Sequence, residues 1–338
     1  MISHYDMICS GIVAWTKKAT PTLVAIFVIQ LVTASSQAIA ADYPDHTIKV
    51  VTPFAPGAAS DVELRFLAEK MSNALHVSVV VENRPGSGGV VAGKTVSNAG
   101  PDGYTIAWVG NSNAIAVSLF REPFDPREEM RPIVGVSEFA NLFVTTDKSP
   151  FHTLQDVIKF AHANPNKLNI GTSGAGTSNN LVAHLFALQS DLKVTIVPYR
   201  GPSELQIAIE RGDVDLLVNA YAGLQGVLEA HQVRALAITS AKRDPELPNV
   251  PTMAEAGVAD FVATSWNAFY GPKGMPSEAV KVLEAAVTTI LQDPDTVAKF
   301  KSIGFDVIEM PSDQLGKRMK DEIDRWHMVI EAAGIEKQ

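Results

Sequence analysis

The sequence predicts an α/β protein of two domains joined by strands that cross between them, and three observations carry that prediction. From Thr47 onward, short apolar runs alternate with helical patterns, the signature of a largely parallel sheet covered by helices. Buried parallel strands read as unbroken apolar runs, as in Val79-Val80-Val81 and Leu216-Leu217-Val218. Two strands run straight into glycine-rich loops that open onto helices, one in each half of the chain.

The elements follow in order. Lys17 and Lys18 precede an apolar stretch from Leu23 to Val32, and small and polar residues then end in Ala38-Ile39-Ala40. That is a signal-peptide layout over residues 1–40, too short in its apolar core for the ~20 residues of a membrane-spanning helix. Strands are expected over 48–52, 77–81, 104–109, 141–145, 168–171, 194–197, 214–218 and 233–239. The first helix carries Leu64, Leu67, Met71 and Leu75, a 3.6-residue stripe that buries one face. Helices are expected near 277–291 and 311–333. With no Pro- or Ser-rich linker, the domains are expected to be 41–143 plus 266–338, and 144–265. Residues 141–145 serve as one crossing strand and 264–268 as the return, a layout suited to hinge closure.

Composition narrows the chemistry. The formal charge is −9 over 338 residues, and removing Asp6, Lys17 and Lys18 makes it one unit more negative. An acidic chain without a Lys/Arg run speaks against nucleic acid as a partner. Cys9, the single cysteine, lies in the segment to be removed, which excludes disulfides, cysteine nucleophiles and thiolate metal sites from the mature chain. His152, His162, His184 and His231 show no metal-ligand spacing, so neither a metal nor a cofactor is expected.

The first loop, residues 53–61, holds Gly57, Ala58 and Ala59, small enough for a ligand to approach the backbone. Ser60 and Glu63 have capping-box spacing, predicting a helix that starts near Asp61. The second loop, residues 171–180, holds three glycines, four hydroxyls and two amides. Both place helix-start N–H groups where an anion can sit. The second loop lacks the spacing of a nucleotide fingerprint and of a nucleophile elbow around Ser173. A hydrolase using Ser173 or Ser178 with a histidine is thus the weaker alternative to an anion-binding cleft.

In these motifs and many others the chain resembles the Bug-type periplasmic receptors, the substrate-binding subunits of tripartite tricarboxylate transporters. The resemblance runs through Tyr43-Pro44, residues 53–61, Val81-Glu82-Asn83-Arg84-Pro85-Gly86, Pro101-Asp102-Gly103-Tyr104 and residues 171–177. It continues in Pro198-Tyr199-Arg200-Gly201, Gly212-Asp213-Val214-Asp215, Thr239-Ser240-Ala241-Lys242-Arg243 and Glu255-Ala256-Gly257 with Trp266. It implies an α/β two-domain periplasmic-binding-protein (Venus flytrap) fold with crossover strands. It also implies a monomer without catalysis or cofactor, which captures a small carboxylate such as a di- or tricarboxylate, an amino acid or an aromatic acid. The partners it implies are membrane transporter subunits, with a periplasmic sensor as the alternative. Carried over, the ligand-binding residues are Phe54, Gly57, Ala58, Asp61, Ser173, Gly174, Gly176, Thr177 and Asn180. Relatives usually carry Gly-Gly at Gly57-Ala58 and often a histidine at Asn180, so pocket size and donor pattern are expected to differ here.

The remaining residues have two readings each. Arg200, beyond a strand end, contacts either the ligand or its own loop. Arg84 is expected mainly to hold loop carbonyls. Asp61 orients the helix start or meets a ligand hydroxyl or amine. Trp266 and Phe269 belong to the core or form an aromatic wall. Asp213 and Asp215 share one strand face as solvated turn residues.

Overall fold

In the computed structural model the described residues are 43–121, 124–174, 176–199 and 202–338. The predicted signal peptide and Arg200 lie outside them. The chain separates into residues 1–45, of which Tyr43, Pro44 and Asp45 are described, and a compact unit from His46 to Gln338, to which everything below refers.

β1 (Ile48–Thr52) buries Ile48, Val50, Val51 and Thr52 and feeds α1 (Ala59–Leu75), whose stripe Leu64, Leu67 and Met71 is fully buried. β2 (Val79–Asn83), α2 (Val90–Ser97), β3 (Thr105–Gly110) and α3 (Asn111–Leu119) follow, then the single turn α4 (Pro126–Glu129). β1 lies parallel to both β2 and β3. A second parallel set repeats this: β5 (Asn169–Ser173) lies between β6 (Thr195–Tyr199) and β7 (Leu216–Ala220). Its helices are α5 (Leu154–Ala163), capped by Thr153 and Asp156, α6 (Ser178–Gln189), α7 (Pro202–Arg211) and α8 (Gln225–Glu229). The last elements are β8 (Val233–Ile238), β9 (Thr264–Pro272), α9 (Ser277–Leu291), α10 (Pro294–Ser302), β10 (Asp306–Pro311) and α11 (Ser312–Ala332).

The sheet is mixed rather than purely parallel, because its centre is built from β4 (Met130–Thr146) and β9, which run antiparallel to each other and to their neighbours. β4 has 17 residues, and its partners change within it. Through Ala140 it pairs with β9 and β10, and from Asn141 with β7 and β8. The sequence reading found only 141–145 of this strand. Its first half contains Arg131, Pro132, Gly135 and Glu138, and the register shifts near Pro132 and again after Gly135, so no apolar run marks it. β10 was also missed, since it alternates exposed and half-buried positions at an edge.

α11 packs its stripe Leu315, Met319, Ile323, Trp326 and Ile330 onto α3 and β4. The Trp326 indole is fully buried, where a partner for its N–H is favourable. Asn111 Oδ1, at the start of α3, accepts it at 3.0 Å. The C-terminal helix therefore fixes a residue at a strand-to-helix junction, which is where ligands bind in open α/β sheets.

Candidate functional site

The first glycine-rich turn is closed by its own side chains. α1 starts at Ala59, two residues before the predicted start, so Ala58 is its N-cap and contributes no side-chain bond. The predicted capping box does not form, because Ser60 and Glu63 lie inside the first turn, facing the protein interior. Asp61 is the third helical residue and does the closing: its Oδ2 accepts the Gly57 N–H at 2.8 Å and Arg65 Nε at 2.9 Å, and its Oδ1 accepts Asn83 Nδ2 at 2.6 Å. Asn83 Nδ2 also donates to Phe54 O at 2.9 Å. Burial alone raises the Asp61 pKa, but hydrogen bonds from Arg65, Asn83 and Gly57 outweigh it and hold the carboxyl below its ordinary value. Gly57 adopts φ 81°, a left-handed conformation that favours glycine, with open space where a Cβ would sit.

The second turn solves the same problem with neutral groups. Gly176 has φ 76°, Thr177 is the N-cap, and Asn180 is the third helical residue. Asn180 Oδ1 accepts the Gly176 N–H at 3.1 Å, and its Nδ2 donates to Thr172 Oγ1 at 2.9 Å. Thr177 Oγ1 donates to Gly174 O at 2.8 Å. Asn179 Nδ2 reaches Ser173 Oγ at 3.0 Å and Asn219 Oδ1 at 3.2 Å. Unlike Gly57, Gly176 is crowded: a Cβ there would come within 2.2 Å of Leu119 Cδ2.

A third junction, from β3 into α3, was not singled out by the sequence reading. Asn113, again the third helical residue, accepts the Gly110 N–H at 3.2 Å through Oδ1 and donates to Gly89 O at 3.3 Å. Asn111 Nδ2 donates to Ser178 Oγ at 3.1 Å, and Ser178 Oγ lies 2.6 Å from Ser265 Oγ. The signal was present as Gly110-Asn111-Ser112-Asn113 directly after an apolar strand, without the glycine clustering that marked the other two loops.

These junctions meet at a cavity of about 520 Å³. Phe54 enters from the first turn, Ser87 and Gly88 from the neighbouring loop, and Asn111 and Ser112 from the start of α3. Gly176, Thr177 and Ser178 enter from the second turn, and Ser265, Trp266 and Asn267 from β9. Ile115, Leu119, Phe120 and Phe139 supply apolar wall, and Gln338 lies at the edge. Among the described residues, no Lys, Arg, His, Asp or Glu side chain lines it. The opening amides of α3 and α6 have no intrahelical acceptor, so this cavity offers neutral N–H and hydroxyl donors with the positive ends of two helix dipoles. A second cavity of about 360 Å³ contains neither glycine-rich turn. It is lined by charged side chains, among them Glu138, Lys242, Arg243 and Asp306, where Glu138 pairs with Arg318 and Arg243 with Glu255.

The tripartite tricarboxylate transporter family receptor, TctC, matches residues 64–335. The chain belongs to this receptor family. BugT of Bordetella pertussis is 31% identical over 317 residues, covering 92% of this chain and 97% of BugT. Rpa4515 of R. palustris, solved with adipate, superposes with a TM-score of 0.76 at 30% identity, covering 88% of this chain and all of the other. MatC of Rhodopseudomonas palustris, solved with bound malate, gives 0.72 at 28% identity, covering 85% and 100%. The receptor accordingly has the two-domain α/β fold of periplasmic solute-binding proteins, and its structural neighbours are binding proteins rather than enzymes.

Within the receptor, the cavity brings together Phe54, Gly176 and Thr177 of the residues expected from sequence. Gly57, Ala58, Asp61, Ser173, Gly174 and Asn180 do not line it; Asp61 and Asn180 lie behind their turns with their polar atoms engaged by the loops. Ala58 and Asn180 therefore shape the cavity through the turns, not by facing it. Arg84 Nε donates to Glu82 Oε1 at 2.5 Å, and its backbone N–H donates to Thr52 O. Asp213 is exposed, while the half-buried Asp215 also ties strand ends together, its Oδ2 accepting the Asn169 N–H at 2.8 Å. Trp266 is both core and wall: it is buried, with Arg318 over its ring at 5.6 Å, and it borders the cavity. Phe269 packs edge-on against Trp108 in the core. Ser173 and Ser178 are bonded to Asn179, Asn111 and Ser265, not to an imidazole. No cluster of potential metal ligands occurs among the described residues, and no helix among them is long and apolar enough to cross a membrane.

Proposed function

We propose that this receptor works in the periplasm and binds a dicarboxylate with an apolar spacer between the starts of α3 and α6, for delivery to the membrane subunits of a tripartite tricarboxylate-type transporter. One observation carries the reading: a cavity with helix-start amides and hydroxyls and, among the described residues, no charged side chain, walled by Phe54, Ile115, Leu119, Phe120 and Phe139. Neutral donors bind an anion without the deep electrostatic trap of a lysine cluster, so capture stays reversible. The apolar wall suits a hydrocarbon chain better than a third carboxylate, and the adipate held by Rpa4515 has that character. The site performs no catalysis in this reading.

Two lobes, 41–143 plus 266–338 and 144–265, close on the ligand in the same proposal. The partner change of β4 between Ala140 and Asn141 supports a hinge there. The test is thermal unfolding of the purified protein with graded adipate, malate, citrate and benzoate. Adipate should raise the transition with concentration as mass action requires, and citrate should not. If no carboxylate moves the transition, the reading fails.

A further inference from the structure

Among the described residues, Glu63 is the one carboxylate with no exposure that the ligand reading leaves without a task. It projects from the first turn of α1 with no side-chain exposure. Asn267 Nδ2 donates to Glu63 Oε2 at 2.8 Å and to Ser60 Oγ at 3.2 Å. Ser137 is the carboxyl's other polar neighbour and lies directly opposite Asn267 in the β4–β9 pairing. Asn267 in turn borders the ligand cavity. Three buried polar atoms in this cluster, Glu63 Oε1, Asn267 Oδ1 and the Ser137 hydroxyl, have no hydrogen-bond partner among the described residues.

An ionised carboxylate here would be held by the Asn267 amide alone, with the Ser137 hydroxyl nearby but unbonded, which is too little for a buried charge. A single proton on Glu63 removes the charge and gives the carboxyl a donor of its own beside the open Asn267 Oδ1 acceptor. Burial pushes the Glu63 pKa up to about 8, and the neighbouring Asn267 amide and Ser137 hydroxyl lower it only in part.

The charged groups on the elements packed around Glu63 are occupied elsewhere. On α1, Asp61 pairs with Arg65 and Lys70 with Asp293, and Glu69 is solvent-exposed; on β2, Glu82 pairs with Lys49 and Arg84. On β4, Glu138 pairs with Arg318, and Arg131 donates to Met275 O and Ser277. On α9, Glu278 pairs with Lys281, and Glu284 accepts the Ser312 N–H. β9 carries only Tyr270 as a titratable side chain.

We propose that Glu63 is a positioning residue: as a neutral carboxylic acid it fixes the orientation of Asn267 at the cavity wall and ties the first turn of α1 to the crossing strands β4 and β9. For its binding arm the inference rests on the proposed function. For its protonation arm it does not.

Unfolding of the ligand-free full chain is followed from pH 5 to pH 9 for wild type and E63Q. A folded-state pKa of about 8 lies above the ordinary 4.5, so between those values the folded protein holds one proton more than the unfolded chain. Wild type should therefore lose stability relative to E63Q as pH rises through that window, and the gap should level off above it. Parallel profiles overturn the proposal. Adipate affinity is then measured by calorimetry at pH 7 and pH 9, where adipate itself is fully ionised. Wild type should weaken about tenfold at the higher pH, the loss of roughly one hydrogen bond, and E63Q should stay flat. A flat wild-type profile overturns the positioning role even if the stability gap appears. Adipate binding to neither protein overturns the functional reading and the positioning role together, while the unfolding profiles still report the proton. Should E63Q not fold, the Glu63 carboxyl 13C shift of wild type replaces it: titration near pH 8 supports the proposal, and an ionised shift at pH 6 overturns it.

Discussion

The two glycine-rich turns use one backbone solution and opposite chemistry. In each, a left-handed glycine precedes an extended N-cap, and an Asx side chain at the third helical position reaches back to the glycine N–H. In the first turn the Asx is Asp61, a carboxylate tied to Arg65 and Asn83. In the second it is Asn180, tied to Thr172. The first turn is locked from behind by charge, and only Phe54 of the residues expected there reaches the cavity. The second turn keeps charge away and places Gly176, Thr177 and Ser178 on the cavity wall. A wall that receives an anion is better built without a neighbouring carboxylate, and the turn at the wall is the one with the amide.

The largest expected contrast is between the two glycines. Gly176→Ala combines left-handed strain with a collision against Leu119, so it should cost about 3 kcal/mol or more, against about 1 kcal/mol for Gly57→Ala. Urea unfolding of both variants measures this, and equal losses would remove the distinction between a crowded turn and an open one.

Removing the Asx locks comes next. Asp61→Ala leaves the Gly57 N–H without an acceptor and the Asn83 amide with Phe54 O alone, and Asn180→Ala leaves the Gly176 N–H without an acceptor; each should cost about 2 kcal/mol. Only the Asn180 variant should also weaken adipate binding, because only its turn lines the cavity over several residues. A stronger binding loss in the Asp61 variant would reverse the assignment of roles.

The pH dependence separates the two turns more finely. The folded pKa of Asp61 lies below 3.8, so its stabilisation is fully present above that value and is lost as pH falls through the folded pKa. Wild type should show an acid limb in its thermal midpoint that Asp61→Asn shortens. Smallest of all is Arg65→Ala. Its guanidinium is about half exposed, so its ion pair with Asp61 is screened and should contribute under about 1 kcal/mol.

Much of this was legible in residue patterns, and the misses have physical causes. Strands that are buried on both faces announce themselves by apolar runs, so β1 is legible to the residue and β5 and β7 to within two residues at each end. β4 escaped because half of it bends through Pro132 and Gly135 and carries Glu138 to Arg318. The start of α1 was misplaced because the Ser60 and Glu63 spacing fits a capping box, while both side chains are instead drawn inward by Asn267. Asn111, Ser178, Ser265 and Asn267 were not identified as cavity residues, since single polar residues on buried strands and helix starts carry no local signature of a common destination.

By itself the sequence determined the alternation of strands and helices, the absence of thiols from the segment after the predicted leader, and the two turns in which small residues must meet a helix start. Those are local properties, dictated by backbone sterics, periodicity and side-chain chemistry within a few residues. Only the tertiary structure decided which helix starts share a cavity, which carboxylates are locked away from it, and that Glu63 is sealed beneath Asn267. Those depend on contacts between residues as far apart as 63 and 267, and no short pattern in the chain encodes such a distance.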